Sequence, residues 1–159
     1  MSKTRPTTII IPIDRNHPTL RTLELYYRTI SSENYRIIFV HVIQPGNTNS
    51  LFGIRASMVS SVTGNPVPIK KKVLVEAKLL CREHVQHAQS HGLKAKSVIY
   101  VNSHVGPALI QAAARYRADL FLLWTQERVC GDITGEIYQH VHRHSPIPMV
   151  LLPRLHMSK

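Results

Sequence analysis

Cysteines and long apolar runs are both scarce in this sequence. The 159 residues contain two cysteines, Cys81 and Cys130, without Cys-x-x-Cys spacing. This pattern predicts reduced thiols and excludes a disulfide framework or a zinc ribbon, which need several closely spaced cysteines. No apolar run approaches the roughly 18 residues of a membrane span, and the first residues lack the apolar core of a signal peptide. We therefore expect a soluble, cytoplasmic protein with no membrane partner.

Acidic residues are also few. Nine Asp and Glu against 20 Lys and Arg give a formal net charge of +11. Such a charge can indicate a nucleic-acid or other anionic partner. Here it is scattered, and its only tight run, Lys70-Lys71-Lys72, has no interleaved aromatic residues on which bases could stack. These features argue against nucleic acid as a partner and favour a solvated helix start.

The motifs of several enzyme classes are absent. The sequence has no nucleophile elbow, no Gly-x-x-x-x-Gly-Lys loop and no Gly-x-Gly-x-x-Gly fingerprint. Cys130 would be a reactive thiol only if a helix start lowered its pKa, and an incidental cysteine is the simpler interpretation. We therefore predict no catalytic residues and a protein that is not an enzyme, with slow ATP hydrolysis left open.

The most informative segment that is present lies near the amino terminus. Residues 7–13, TTIIIPI, form a continuous apolar run that ends at Asp14. A continuous rather than alternating run is typical of a strand buried on both faces of a parallel sheet. Because ligands of open α/β sheets bind at the carboxyl ends of the strands, Asp14 is the first candidate for a functional residue. Its alternative role is that of a helix-capping acid.

The rest of the chain alternates between helix and strand patterns. Residues 44–68 are rich in Pro, Gly, Ser and Asn and predict a long loop, with a short helical turn at most. Apart from this loop, the predicted order is helix 18–31, strand 35–43, helix 69–91, strand 93–101, helix 106–118, strand 120–124, helix 134–144 and strand 148–152. The pattern predicts a single domain over 1–159, of three-layer α/β/α architecture, with a parallel sheet and right-handed crossovers.

Five short motifs resemble the universal stress proteins, which belong to the adenine nucleotide alpha hydrolase-like group. They are Ile11-Pro12-Ile13-Asp14, Val40-His41-Val42, Gly106-Pro107-Ala108-Leu109-Ile110, Ala118-Asp119-Leu120-Phe121-Leu122-Leu123, and the tail 144–152, HSPIPMVLL. The resemblance covers nearly the whole chain. It implies a five-stranded parallel sheet of order 3-2-1-4-5 and a homodimer formed through the last strand, from Pro148 to Leu152. The apolar character of that edge strand independently favours pairing.

The resemblance also implies an adenine-nucleotide cleft. In nucleotide-binding members, the acid after strand one and the backbone after strand two contact adenosine, while a glycine-rich loop after strand four holds the phosphates. Ile13, Asp14 and Val42 match the adenosine contacts, and Pro12 is a candidate beside them; the candidates on the phosphate side are Arg128, Gly131, Gly135 and Glu136.

The phosphate loop departs from the family pattern. Trp124 stands where the first glycine is expected, Glu136 replaces the usual Ser or Thr, and the loop is about two residues short. A carboxylate at a helix start repels a triphosphate. Several backbone N–H groups can point at the same phosphate only where glycine lets the backbone approach it closely. We therefore predict a degenerate loop, no required cofactor and a non-enzymatic stress-response interaction module. The alternative is a sensor of ATP or AMP, with Arg15 or Arg128 meeting the phosphate by side chain.

Ten histidines complete the unusual features of the composition. On the predicted helices, His84, His87 and His91 share one face, as do His140 and His144, and both spacings can converge on a metal. Neither group has a completing ligand at an obvious spacing, so we predict exposed histidines and no metal site. Their titration below about pH 6.5 would allow pH sensing.

Overall fold

The structure is a computed structural model that describes residues 5–15, 20–29, 34–45, 56–60, 66–124 and 135–152. Seven strands and four helices lie in these ranges. In chain order they are β1 (Thr7–Pro12), α1 (Leu20–Tyr27), β2 (Tyr35–Ile43), β3 (Ala56–Ser60), β4 (Pro66–Lys70), α2 (Lys71–Ser90), β5 (Lys94–Val101), α3 (Val105–Tyr116), β6 (Leu120–Trp124), α4 (Glu136–His144) and β7 (Met149–Leu152).

Five strands form one parallel sheet in the order β5-β2-β1-β6-β7. Counting only these five strands, the order is 3-2-1-4-5, which confirms the predicted topology. β1 is central and pairs with β2 along its whole length, from Thr7 opposite Tyr35 to Pro12 opposite Val40. Its pairing with β6 is much shorter and joins only Ile9 to Leu120 and Ile10 to Phe121.

The helices cover the two faces of the sheet in pairs. Alternate residues of each central strand point to opposite faces, so Ile10 packs with α3 and α4 while Ile9 and Ile11 pack with α1 and α2. All three isoleucines are fully buried. Full burial of such a side chain contributes about 1.5–3 kcal/mol. This two-sided burial explains why the strand sequences are continuously apolar.

Two helices end in the same hydrogen-bonded motif with different residues. At the end of α2, Gly92 has φ 78° and its N–H donates to Gln89 O, while Leu93 N–H donates to Ala88 O. The two bonds form a Schellman motif, which favours glycine at its left-handed position and ends the helix close to the predicted boundary at residue 91. At the end of α3, Arg117 adopts φ 48° in the same geometry.

Asp119 ties the start of β6 to the start of β1. Its Oδ2 accepts from Thr8 N–H at 2.8 Å, and its own N–H donates to Thr8 O at 2.8 Å. Arg5 donates to Asp119 Oδ1 and to the carbonyl of Arg117. These bonds add to the two residue pairs that join β1 to β6. The bonds between Thr8 and Asp119 link residues 111 positions apart in the sequence.

The predicted loop over 44–68 is wrong in part. β3 and β4 form an antiparallel pair, with Ala56 opposite Lys70 and Ser60 opposite Pro66. No helical turn lies in the described part of this segment, 44–45, 56–60 and 66–68. The lysine run spans the change from strand to helix, since β4 ends at Lys70 and α2 begins at Lys71. Prolines in 66–68 obscured the strand because proline weakens a strand prediction.

β7 forms one edge of the sheet, as predicted for the last strand. Val150 and Leu151 on this strand are 40% and 37% exposed. Within the described ranges, no helix is both long and apolar enough to cross a membrane.

Candidate functional site

A cleft opens at the carboxyl ends of β1, β2 and β6. It lies at the topological switch point, where the strands on either side of β1 connect in opposite directions across the sheet. We call it the strand-end cleft; its volume is about 310 Å³. The lining residues are Pro12, Ile13, Asp14, Val40, Val42, Gln44, Val105, Leu123, Trp124, Gly135, Ile137 and Tyr138. Its position agrees with the rule that ligands of open α/β sheets bind at such switch points.

Hydrogen bonds fix the backbone that leads into Asp14. Ile13 N–H donates to Val40 O at 2.9 Å, and His41 Nδ1 donates to Ile13 O at 2.8 Å. The indole Nε1 of Trp124 donates to Pro12 O at 3.3 Å. The bonded groups of Pro12 and Ile13 lie directly before Asp14, so the exposed carboxylate is held at the rim of the cleft by a hydrogen-bonded backbone.

Five of the eight predicted site residues line this cleft: Pro12, Ile13, Asp14, Val42 and Gly135. Glu136 lies in an adjoining cavity described below. Arg128 and Gly131 fall outside the described residues. The structure therefore brings the predicted adenosine side together and places the start of α4 beside it.

Arg15 does not line the strand-end cleft. Its guanidinium forms an ion pair with Glu76 of α2, on the helix layer that contains α1 and α2. The interpretation that Arg15 supplies a cation to a phosphate is therefore not supported by its position in the structure.

Other lining residues were not predicted. Gln44, Val105, Ile137 and Tyr138 come from three different elements or their ends and converge only through the packing of α3 on α4. Trp124 was noted only as a departure from the glycine pattern, yet its ring forms part of the wall. Its position as the last residue of an apolar strand, at the carboxyl end where ligands of α/β sheets bind, was the one local signal that could have identified it.

A second cavity of about 610 Å³ adjoins the cleft between the first turns of α3 and α4; we call it the helix cavity. Its polar lining residues are Gln44, Ser103, His104, Glu136 and His140, and it shares Gln44, Val105 and Ile137 with the strand-end cleft. Gln44 Nε2 donates to Ser103 O at 2.9 Å, which connects the end of β2 to the loop before α3. The two cavities therefore meet along a common wall.

Close contact with Gly106 sets the position of His140. A Cβ added at Gly106 would lie 2.7 Å from Cγ and Cδ2 of His140 and 2.8 Å from its Cβ. The His140 ring also stacks on His144, with centroids 4.2 Å apart. Burial lowers the pKa of His140, the neighbouring His144 and His104 lower it further, and Glu136 opposes them.

Of the three histidines predicted to be exposed on α2 and at its end, His84 is buried, His87 is half-buried and His91 is exposed. His84 is only 3% exposed, packs edge-on against Phe39, and donates through Nδ1 to Leu80 O at 2.9 Å. It is buried because it continues the inner stripe of Ala77, Cys81 and Ala88. His87 and His91 surround the ring of Tyr27 instead. Among the described residues, no three His, Cys, Asp or Glu side chains are grouped to hold a metal.

The sheet order and the helices on both faces define an open, three-layer α/β domain. Solved structures show that the universal stress proteins have the same fold. No protein-family model matches the sequence, and no curated protein matches it either.

Three solved structures illustrate the similarity. A universal stress protein in complex with cAMP has a TM-score of 0.63 and 16% identity, covering 94% of this chain and 98% of the other. The Archaeoglobus fulgidus protein in complex with dAMP has a TM-score of 0.60 and 13% identity, with 91% and 96% covered. An Arabidopsis thaliana protein with AMP bound has a TM-score of 0.59 and 15% identity, with 94% and 93% covered.

Proposed function

We propose that this chain is a non-enzymatic universal stress protein that binds the adenosine part of a small adenine nucleotide in the strand-end cleft. The observation that carries the proposal is the convergence of Asp14, Val42 and Gly135 at the switch point of the sheet. Structures of the same fold with cAMP, dAMP or AMP support this choice of ligand.

The chemistry of the cleft suits a purine nucleoside. Val40, Val42, Leu123 and Ile137 supply apolar walls, and Trp124 adds an aromatic ring. Aromatic rings stack on bases with about 1–3 kcal/mol per base in single-stranded nucleic-acid complexes. The exposed carboxylate of Asp14 can accept hydrogen bonds from the ribose hydroxyls, and such charge-assisted bonds contribute about 1.5–3 kcal/mol.

The same lining argues for binding rather than turnover. Asp14 is the only carboxylate among the described residues of the cleft, and its proposed role is to bind ribose. Phosphoryl transfer needs cationic groups or metal ions arranged around the phosphate. Glu136 in the first turn of α4 instead places negative charge at the helix end that would otherwise attract a triphosphate.

Calorimetric titration with adenosine, AMP and ATP, with magnesium present, tests the proposal. We expect adenosine and AMP to bind, and Asp14→Ala to weaken both by about ten- to a hundredfold, as the loss of one charge-assisted bond requires. Glu83→Ala, which removes an exposed acid from α2, should bind like the wild type. Absence of heat and of a thermal shift with every ligand would refute nucleotide binding and leave a partner-binding module.

A homodimer through β7 is the second part of the proposal. Val150 and Leu151 expose apolar side chains on a strand at the edge of the sheet, and a two-fold pairing would cover both copies. We expect Val150→Asp to shift the protein towards monomer in analytical ultracentrifugation. Val75→Asp, at a comparably exposed valine on α2, should leave the assembly unchanged. A Val150→Asp protein that sediments like the wild type would exclude this interface.

A further inference from the structure

The helix cavity combines two histidines with the first turns of two helices. His104 directly precedes α3, His140 lies one turn into α4, and both line the same 610 Å³ space. Neither helix start has a side-chain cap, because no capping bond is made by His104 at α3 or by Gly135 at α4. The amide groups of both first turns therefore add positive partial charge to the histidine pair.

Both histidines are held in place by contacts on the protein side. The backbone N–H of His104 donates to Asn102 Oδ1 at 2.9 Å. His140 packs directly on Gly106, so its ring cannot shift towards α3. An anion that entered the cavity would thus meet groups already positioned, which lowers the ordering cost of binding.

Burial and most of the charges around His140 oppose its protonation. His144 on α4 and His104 beside α3 oppose a positive charge on the ring, whereas Glu136 on α4 favours one. Burial adds to the opposition. An anion in the cavity would reverse this balance, because an opposite charge within a few ångströms favours the protonated form.

We propose that the helix cavity is the phosphate subsite of the nucleotide, in which His104 and His140 hold a phosphate monoester and the complex takes up a proton from solvent as it forms. This inference rests on the proposed function, because the adenosine must occupy the adjoining strand-end cleft. Gln44, Val105 and Ile137 line both cavities, and the proposal requires a ligand that extends past these residues from one cavity into the other.

The subsite favours a nucleoside monophosphate over a triphosphate. A phosphate monoester carries about −1.5 to −2 charges at pH 7. The two histidines can balance that charge, whereas the additional charges of a triphosphate would face Glu136, and the described lining of the cavity contains no lysine or arginine to balance them. The histidine pair would therefore serve the anion-binding role for which the family uses its glycine loop.

The experiment is calorimetry with AMP and adenosine from pH 8.0 to 6.5, in two buffers of different ionisation enthalpy. The wild type should bind AMP more tightly as the pH falls, by up to about tenfold per pH unit for each proton taken up, while adenosine binding stays constant. Proton uptake should appear as a buffer-dependent heat for AMP alone. His104→Gln and His140→Gln should each weaken AMP about three- to tenfold and reduce the uptake, with adenosine unaffected. His91→Gln, on the opposite face of the sheet, is the matched control.

The outcomes separate this inference from the function on which it rests. If adenosine and AMP both fail to bind, nucleotide binding itself is refuted. If both bind with equal affinity and AMP shows neither pH dependence nor proton uptake, the cleft binds adenosine and the phosphate subsite is refuted. Because the wild type alone gives the pH and buffer dependence, instability of His140→Gln would not prevent a decision.

Discussion

Substituting Gly106 by alanine tests the contact that holds α3 against α4. The new Cβ would lie 2.7 Å from the His140 ring and 2.8 Å from its Cβ, where ordinary contacts begin at 3.4 Å. His140 would have to move by about 0.7 Å, and its Cβ can move only with the backbone of α4. Overpacking of this kind costs about 1–3 kcal/mol. Alanine recovers up to about 1 kcal/mol of helix propensity.

We therefore expect Gly106→Ala to destabilise the protein by about 1–2 kcal/mol. For a chain of this size, that loss lowers the melting temperature by roughly 2–8 °C. Urea unfolding monitored by circular dichroism gives the free energy of unfolding, and thermal unfolding gives the melting temperature. The substitution should also disturb the helix cavity, because His140 lines it.

A double-mutant cycle with His140→Ala identifies the cause. Removing the ring eliminates the 2.7 Å contacts and leaves only the Cβ contact at 2.8 Å. Gly106→Ala should then cost at least 0.5 kcal/mol less than in the wild type, a coupling energy typical of residues in contact. The reasoning would be refuted if Gly106→Ala matched or exceeded the stability of the wild type. It would also fail if the cost were equal in both backgrounds.

Two further predictions concern stability. Arg117→Gly should stabilise the protein by about 0.5–1 kcal/mol in urea unfolding, because Arg117 is a non-glycine residue with φ 48° in a Schellman motif. As a control, Ala114→Gly in the same helix should destabilise the protein by about 1 kcal/mol. A loss of stability with Arg117→Gly would contradict the argument that Arg117 is strained. Burial lowers the pKa of both His87 and His140 below the usual value near 6.5, so the unfolded chain binds more protons than the folded one and stability should fall as the pH drops below about 6.5. Urea unfolding midpoints at pH 7.5 and 5.5 measure this effect, because both values lie above the pH at which carboxylates usually titrate. His87→Gln should reduce the difference between the two midpoints. A higher midpoint at pH 5.5 would refute the prediction.

Most of the fold could be predicted because its signals are local. The central residues of β1, β2 and β6 form apolar runs since they are buried on both faces, and Gly92 stops α2 in the conformation that glycine favours. The β3–β4 pair escaped prediction because turn-forming residues surround it and prolines lie within it. His84 was missed because histidine usually lies at the surface, although its spacing from Ala77 and Cys81 continues the buried stripe.

The site could be predicted only where one strand carries it. Pro12, Ile13 and Asp14 follow directly from the end of β1, and Val42 from the end of β2. The walls contributed by α3 and α4 depend on where those helices pack on the sheet. Their positions are set by contacts such as that between Gly106 and His140. No local pattern encodes such a contact, so the helix cavity became apparent only in three dimensions.

The position of β1 at the centre of the sheet has a consequence for folding during synthesis. Its β2 edge can pair early, since Thr7 and Tyr35 are close in sequence. Its other edge stays open until β6 emerges from the ribosome, because the bonds from Thr8 to Asp119 span 111 residues. At about 5–20 residues per second, synthesis of that interval takes roughly 5–20 s. During this time the nascent chain exposes an apolar strand edge, so folding of the amino-terminal half depends on protection from aggregation until the second half arrives.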